Sequence, residues 1–268
     1  MLYLCLYDAD KKPDAFKILD FLWDKTKTKN CDFQEALFRT RVHVSKENNA
    51  LAAVIKKDLE GPSDERGWRV LEVLQKIRSG IIPEPQVEKE LMGVINQINS
   101  AVLTGNDTTA NNLTPVMQER LAECGRIALQ FNLITIANSV CNFVGKVRQP
   151  TQKAMVLNEY NKAELLVKKA GPPTDSKTGM KLNNVQVKLQ EIERRSQALK
   201  IMEKVMIINK RLNDADLIYE GAVLIWNTCL PFMTPTYREL FTKSFEAASM
   251  LLEQIDSTDH GLRVKLHL

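Results

Sequence analysis

Residues 121–150 read LAECGRIALQFNLITIANSVCNFVGKVRQP, and their spacing predicts two antiparallel helices that form one helix–turn–helix repeat. Small and apolar residues recur every three or four positions along one face of the first helix: Leu121, Cys124, Gly125 and Ala128. The facing side of the second helix carries Ala137, Cys141 and Val144, and Pro150 closes the unit. A period of three to four residues is that of an amphipathic helix, so this stretch predicts a packed helix pair.

The distance in sequence between Gly125 and Ala137 is that of the two small residues of a tetratricopeptide (TPR) repeat. Small residues are needed there because the two helix axes come closest at that point, and a larger side chain would push them apart. Leu121 and Ala128 replace the usual Trp and Tyr of the motif, and Pro150 comes one residue late. Such units rarely stand alone, so we expect a stacked array that binds partners.

The composition favours a helical fold throughout the chain. Of its 268 residues, 44% are apolar and 26% are charged, and only 11 are glycine, the turn residue that a β-rich fold uses. Helical periodicity in every long segment, broken by short Gly/Pro stretches, predicts an all-α protein, an α-solenoid of antiparallel helix pairs with TPR-like repeats. Only the short segments 81–82 and 263–268 alternate as strands would.

A polar segment predicts where the chain divides. Residues 105–114 are Gly, Asn, Asp and Thr with almost no apolar content, which is typical of a loop. We therefore expect an irregular helical region at 1–104 and a TPR-like helical-repeat region at 115–268. The apolar pattern runs to the last residue, whereas a solenoid end normally turns a polar face outward. The sequence thus predicts a segment of a larger protein.

Neither a membrane nor an oxidising compartment is indicated. The longest apolar runs, at 222–226 and 134–137, are far shorter than the roughly 20 residues that a span requires. The apolar start at 1–7 has no basic residue before it, so we expect no signal peptide. The five cysteines are an odd number without metal spacing, which favours reduced thiols in a cytoplasmic protein.

Motifs for catalysis or cofactor binding are largely missing. The segment 8–12 resembles the opening of a calcium loop, but Pro13 occupies the turn-glycine position and Leu19 the position of the bidentate glutamate. The histidines are not at metal spacing from one another: His43, His260 and His267. No phosphate-binding glycine loop or serine elbow occurs. We expect a non-enzymatic protein without a cofactor, while a Cys–His pair brought together by the fold stays open as an alternative.

The strongest charge signal lies in a predicted long helix at 183–210 and its approach. Nine basic and three acidic residues between 177 and 211 give a local net charge of +6, above the +4 of the whole chain. We predict a contact with an acidic partner that involves four of them: Lys188, Arg195, Lys204 and Arg211. A tubulin tail, an acidic protein segment and nucleic acid are the alternatives. Nucleic acid is the weakest because no aromatic residue is available to stack on a base. The competing interpretation is a solvated outer face.

Residues 219–240 read YEGAVLIWNTCLPFMTPTYREL and carry a second set of small and bulky positions. Gly221 and Ala222 would let a neighbouring helix approach, Trp226 would fill the gap one turn on, and two prolines would fix the bend that follows. This stretch resembles the family of cilia- and flagella-associated protein forty-six, very large TPR-containing proteins of the axonemal central apparatus. With the upstream repeat in the same order, the resemblance covers about residues 115–250.

That resemblance implies a non-enzymatic scaffold of a central-pair microtubule projection in a cilium or flagellum. In that family the partners are other large ciliary projection proteins, with calmodulin among them. The alternative class is a free-standing TPR adaptor that holds a peptide in its groove. An adaptor should carry a cluster of inward Lys, Arg and Asn from several repeats, whereas a scaffold should show apolar patches on its outer surfaces.

Overall fold

The computed structural model describes residues 12–26, 33–60, 67–103, 113–169, 184–233, 237 and 239–267. Within these ranges every regular element is helical, so the predicted all-α class is confirmed for this part of the chain. The chain divides into two compact units, Met1–Asn96 and Gln97–Leu268. Most of the segment in which we expected the boundary, 105–114, lies outside the described residues.

The first unit is built around its second helix, which packs on the first, third and fourth. Its helices are α1 (Lys12–Thr26), α2 (Gln34–Val44), α3 (Asn49–Asp58) and α4 (Trp68–Arg78), and α5 (Glu84–Leu103) runs through the boundary between the units. The side chain of Asn48 caps α3 by accepting from the backbone N–H groups of residues 50 and 51. Gly80, at φ +65°, ends α4 in a backbone conformation that favours glycine.

The second unit begins within α5, and its described part contains seven further α-helices. They are α6 (Pro115–Gln130), α7 (Ile134–Val144), α8 (Gln152–Lys168), α9 (Asn184–Leu212), α10 (Ala215–Cys229), α11 (Thr242–Gln254) and α12 (His260–His267). Thr114, Thr151 and Asp214 each accept a hydrogen bond from the backbone N–H three residues on, and so cap α6, α8 and α10. Pro235, one of the two prolines in residues 219–240 that we expected to fix the bend after α10, lies outside the described residues.

Packing in the second unit follows chain order. Helix α6 packs on α7 and α8, α7 packs on α8, and α8 packs on α9 and α10. Helix α10 packs on α9 and α11, while α9 also packs on α11, and α12 closes against α11. Each helix from α6 to α11 therefore packs on the next, and α6, α8 and α9 also pack on the next but one. A single apolar core extends from α6 to α12.

Both segments that alternated as strands are something else in the structure. Residues 263–267 belong to α12, where Leu262 and Leu266, four apart, are buried against the core. Residues 81–82 form a bend between α4 and α5. A short apolar alternation is compatible with either helix or strand, and here the capping carboxylate of Asp259, which accepts from the N–H of Leu262 at 2.8 Å, fixes the helix.

Helix α6 is unusual because residues 120–129 are buried on every side. Three of them are charged: Arg120, Glu123 and Arg126. Charges are stable in such surroundings only when they are paired, and Arg120 donates to Glu123 at 3.3 Å. None of the helices in the described ranges combines the length and the apolar character that crossing a bilayer demands.

Candidate functional site

Two glycines mark the closest approaches between helices of the second unit. A Cβ added at Gly125 on α6 would lie 2.8 Å from Nδ2 of Asn161 on α8 and 3.1 Å from Cγ1 of Val140 on α7. One added at Gly221 on α10 would overlap the hydroxyl of Tyr160 on α8. Interiors are packed too closely to absorb such atoms without movement. Gly125 therefore admits α8 as well as α7, the helix that the repeat pattern pairs with it.

The other repeat positions also lie in helix contacts. Ala137 is fully buried on α7, and Pro150 lies in the turn between α7 and α8. Trp226 is half-buried, with its ring centroid 6.1 Å from that of Phe245 on α11 and the Nζ of Lys265 on α12 5.9 Å above the ring. The indole thus joins α10 to the two helices that follow it.

A buried tyrosine ties three helices together. The hydroxyl of Tyr160 on α8 accepts from Nδ2 of Asn209 on α9 at 2.5 Å and donates to the carbonyl of Leu217 on α10 at 3.3 Å. Burial raises the pKa of Tyr160 well above its usual value, and the nearby carboxylate of Glu220 raises it further. The phenol is therefore a neutral structural group at physiological pH.

Two asparagines on α8 hold it to the preceding helix pair. Asn161 donates from Nδ2 to the carbonyl of Ala122 at 2.9 Å, and Asn158 donates to the carbonyl of Cys141 at 3.4 Å. Their side-chain oxygens have no hydrogen-bond partner within the described part of the chain. Both residues are nevertheless buried, so a peptide in a groove would not reach them.

An ion-pair cluster crosses three helices next to these amides. Arg126 on α6 pairs with Glu164 on α8 and with Glu220 on α10, and Glu164 also pairs with Lys168 at 3.0 Å. We call these four residues the Arg126 cluster. All four side chains are largely buried, so their charges interact more strongly than exposed ones would and neutralise one another.

The residues that would build an adaptor groove are thus engaged inside the protein. Arginine, asparagine and lysine do converge from α6 and α8, as an adaptor would require, but each donates to another helix or to a carboxylate of the Arg126 cluster. Their donors are not directed towards solvent. This arrangement stabilises the stack of helices and does not form an open peptide site.

The four basic residues predicted from the sequence do not form one patch. The side chain of Lys188 lies outside the described residues. Arg195 is 13% exposed, and its guanidinium donates to the carbonyl of Thr228 at 2.7 Å and to Glu191 at 2.9 Å. It therefore fastens α9 to the end of α10. Lys204 and Arg211 are exposed on α9, as a binding role would require.

A stripe along the exposed side of α9 combines charge with apolar surface. It consists of Lys200, Lys204, Ile207 and Arg211, which we call the α9 stripe. Ile207 is 61% exposed, and nothing in the described residues pairs with the three charges. Our sequence interpretation did not include Ile207. Its position seven residues after Lys200 and four before Arg211 places it on the same helical face, which was the available signal.

Beside the stripe, α9 and α11 enclose a groove of about 320 Å³, which we call the outer groove. Its lining is mostly apolar with polar residues at the edge: Glu203, Met206, Ile207, Lys210, Ala247, Met250, Leu251 and Gln254. Met250 is 63% exposed at the crest of α11. Hydrogen bonds from Ser244 to Glu203 at 2.6 Å and from Gln254 to Asn213 at 3.0 Å join residues with the same separation along the chain, so the two helices run parallel.

A second groove, between α11 and α12, holds a serine, a histidine and a glutamate. Ser249 Oγ lies 2.6 Å and Glu253 Oε1 lies 3.3 Å from Nε2 of His267. In a hydrolytic triad the carboxylate and the hydroxyl engage different ring nitrogens, so that one orients the imidazole while the other loses its proton. Here both contact the same nitrogen, and this geometry does not activate the serine.

The described cysteines are placed as packing residues. Cys124, Cys141 and Cys229 are not in disulfides and lie buried in the helices of the second unit. Burial raises the pKa of Cys141 to about 11 and that of Cys229 to about 12, whereas a nucleophilic cysteine needs a lowered pKa. Among the described residues, no three side chains of the metal-ligating types are grouped to hold an ion.

The first unit has its own buried charge. Arg41 on α2 is fully buried, pairs with Asp20 on α1 at 2.8 Å and with Asp58 on α3 at 3.2 Å, and lies 4.9 Å from the ring centroid of Trp23. Arginine suits such a site because its planar guanidinium can bind carboxylates and stack on an aromatic ring together. The cluster joins three helices of this unit, just as the Arg126 cluster joins three helices of the second unit.

Comparisons with known proteins add no relative to this picture. Neither a protein-family model nor a curated protein matches the chain.

Proposed function

We propose that this chain is a non-enzymatic scaffold segment, an α-solenoid of TPR-like helix pairs that assembles with other proteins through its outer surface. The observation that carries the proposal is the packing order of the second unit, in which each helix from α6 to α11 packs on the next, and α6, α8 and α9 also pack on the next but one. Repeat arrays bury a continuous core in this way, with α6/α7, α8/α9 and α10/α11 as successive pairs.

The placement of polar and apolar groups supports assembly through the surface. The inward amides and the Arg126 cluster are engaged within the protein, which disfavours the adaptor alternative. The outer groove and the α9 stripe instead expose Ile207, Met250 and three basic side chains. Exposed apolar residues rimmed by charge are typical of protein–protein contact sites.

The resemblance of residues 219–240 supplies the setting that we propose, the central apparatus of a ciliary or flagellar axoneme. The partners in this proposal are other large projection proteins, with tubulin and calmodulin as further candidates. A basic surface without stacking aromatics suits acidic protein partners better than nucleic acid.

Isolated axonemes provide the test. We expect the tagged full-length protein to remain with axonemes after detergent extraction and to be released in part by high salt, because screened charges contribute less. Cross-linking should join Lys200 and Lys204 to other proteins. Lys168, which is held in the Arg126 cluster, serves as the internal control and should link only within the chain. A protein found wholly in the detergent-soluble fraction would contradict the axonemal setting.

A further inference from the structure

We propose that the outer groove between α9 and α11 binds an acidic amphipathic helix of a partner protein. This inference rests on the proposed scaffold function and specifies the chemistry of what docks. Its basis is a groove with an apolar floor, two exposed apolar crests and a basic rim, all on the same side of the second unit.

The floor and crests of the groove suit a helix with an apolar stripe. Met206 and Leu251 are buried at the bottom, while Ile207 and Met250 stand at the two edges with most of their side-chain surface in solvent. An incoming apolar side chain between these edges would cover all four. Methionine is well suited to this contact because its unbranched side chain adapts to irregular shapes.

The length and direction of the groove also suit a helix. Along α9 the stripe from Lys200 to Arg211 covers three turns, about 16 Å at 1.5 Å per residue. Since α9 and α11 run parallel, their crests form two ridges with one furrow between them. Helices that dock in such furrows present apolar residues at i, i+3, i+4 and i+7.

The charge of the rim selects an acidic occupant. Lys200, Lys204 and Arg211 lie on the solvent side of Ile207, and none of them has an ion-pair partner in the described part of the chain. Lys210 lines the groove itself. Glu203, the one acidic residue among the described residues that line the groove, accepts a hydrogen bond from Ser244. An occupant with carboxylates along the flank that faces α9 would therefore meet several unpaired positive charges.

The opposite rim fixes the orientation of that occupant. Glu246 and Glu253 lie beyond Met250, on the side of α11 that faces the second groove. They would repel carboxylates placed there, so the acidic flank must lie over α9 and a neutral or basic flank over α11. A purely acidic unstructured tail would be attracted to the basic rim but would make no apolar contacts with the floor of the groove. An amphipathic helix makes both and is therefore the better occupant.

Fluorescence anisotropy with synthetic peptides and the full chain tests this inference. The probe is a helical peptide of about 14 residues, roughly four turns, with leucines along one face and glutamates along one flank. Scrambled and polyglutamate peptides of equal length are the comparators. We expect saturable binding of the amphipathic probe alone, and weaker binding as salt increases.

Two variants locate the contact, and a third serves as the matched control. The double variant Ile207→Ser/Met250→Ser should weaken probe binding at least about tenfold, since two apolar crests no longer bury surface. Lys204→Glu/Arg211→Glu should weaken it at low salt and much less at high salt. Leu189→Ser changes an equally exposed residue, 58% exposed, on the same helix about 27 Å away, and should leave binding unchanged.

Several outcomes would overturn the inference. Equal binding of polyglutamate would mean that charge alone acts, and unchanged binding by the Ile207→Ser/Met250→Ser variant would place the contact elsewhere. A wild-type dimer that this variant converts to monomer would assign the groove to a second copy of the chain. Thermal unfolding at the wild-type temperature shows that each variant is folded. If the protein remains with axonemes but binds no peptide, the groove is not the proposed binding site, while the scaffold proposal is not contradicted.

Discussion

The charges of the Arg126 cluster are buried and paired, whereas those of the α9 stripe are exposed and have no ion-pair partner among the described residues. Arg126 is buried between two carboxylates from two other helices, whereas Lys204 projects into solvent with no ion-pair partner among the described residues. Both belong to helices of one packed unit. The difference teaches that the basic charge of this chain has two uses: part of it holds helices together, and the rest stays available to a partner.

The largest expected effect comes from removing the buried cation. Arg126→Ala leaves Glu164 and Glu220 without their common partner in a poorly solvated place, and should lower the free energy of unfolding by about 3 kcal/mol. Urea denaturation followed by circular dichroism measures this. Lys162→Ala on α8 is the control: it removes a helical i,i+3 pair with Glu159 in which the lysine side chain is 40% exposed, and should cost about 0.5 kcal/mol. Equal losses of unfolding free energy in both variants would contradict the proposed difference between buried and exposed charges.

A glycine substitution tests the close packing on which the buried cluster depends. Gly221→Ala places a Cβ against the hydroxyl of Tyr160 and should lower the free energy of unfolding by about 1–3 kcal/mol through overpacking. Gly93→Ala on α5 is the matched control, because nothing lies within 4 Å of the added atom there. Alanine favours helix over glycine, so this second variant should be neutral or more stable by up to about 1 kcal/mol. Thermal melts of both variants give the answer.

The buried tyrosine gives the second unit an alkaline limit. The pKa of Tyr160 in the folded protein lies above its unfolded value, so its contribution to stability is complete below pH about 10 and is lost as the pH rises toward the folded pKa. In that window the wild type should lose about 1.4 kcal/mol per pH unit more than Tyr160→Phe. Urea titrations at several alkaline pH values compare the two. Parallel pH profiles would show that Tyr160 ionises as easily in the fold as in the unfolded chain.

The smallest expected effect concerns the α9 stripe. Lys204→Glu and Arg211→Glu should each change the free energy of unfolding by less than about 0.5 kcal/mol, because neither side chain has an ion-pair partner to lose. Differential scanning calorimetry of the two variants measures this. A destabilisation similar to that of Arg126→Ala would mean that these charges also hold the fold together.

Periodicity in the sequence predicts helices well but does not identify their neighbours. The spacing of Gly125 and Ala137 correctly indicates the α6/α7 pair, yet the atom of another helix nearest to a Cβ added at Gly125 belongs to Asn161 on α8. Likewise, Gly221 is small because of Tyr160, 61 residues earlier in the chain. Contacts between residues so far apart depend on how whole helices stack, which local periodicity does not encode.

The charge pattern shows the same limit for the candidate site. Arg195 and Lys204 belong to one basic run, but Arg195 turns towards the end of α10 and only Lys204 reaches solvent. The local net charge counts both residues in the same way. Which of them is buried depends on the side of α9 on which a neighbouring helix packs, and the local sequence does not show that. The buried Arg41 of the first unit shows this too, because nothing in its local sequence distinguishes it from Arg39 two residues before it.

The enclosure of α6 has a consequence for motion. Since residues 120–129 are covered on every side, this stretch of α6 cannot open to water while its neighbours stay in place. Its backbone amides should therefore be the slowest of the second unit to exchange with deuterium, at rates set by complete unfolding. The helix with the repeat signature would then report the global stability of this unit, and α12 at its edge would report only local fraying.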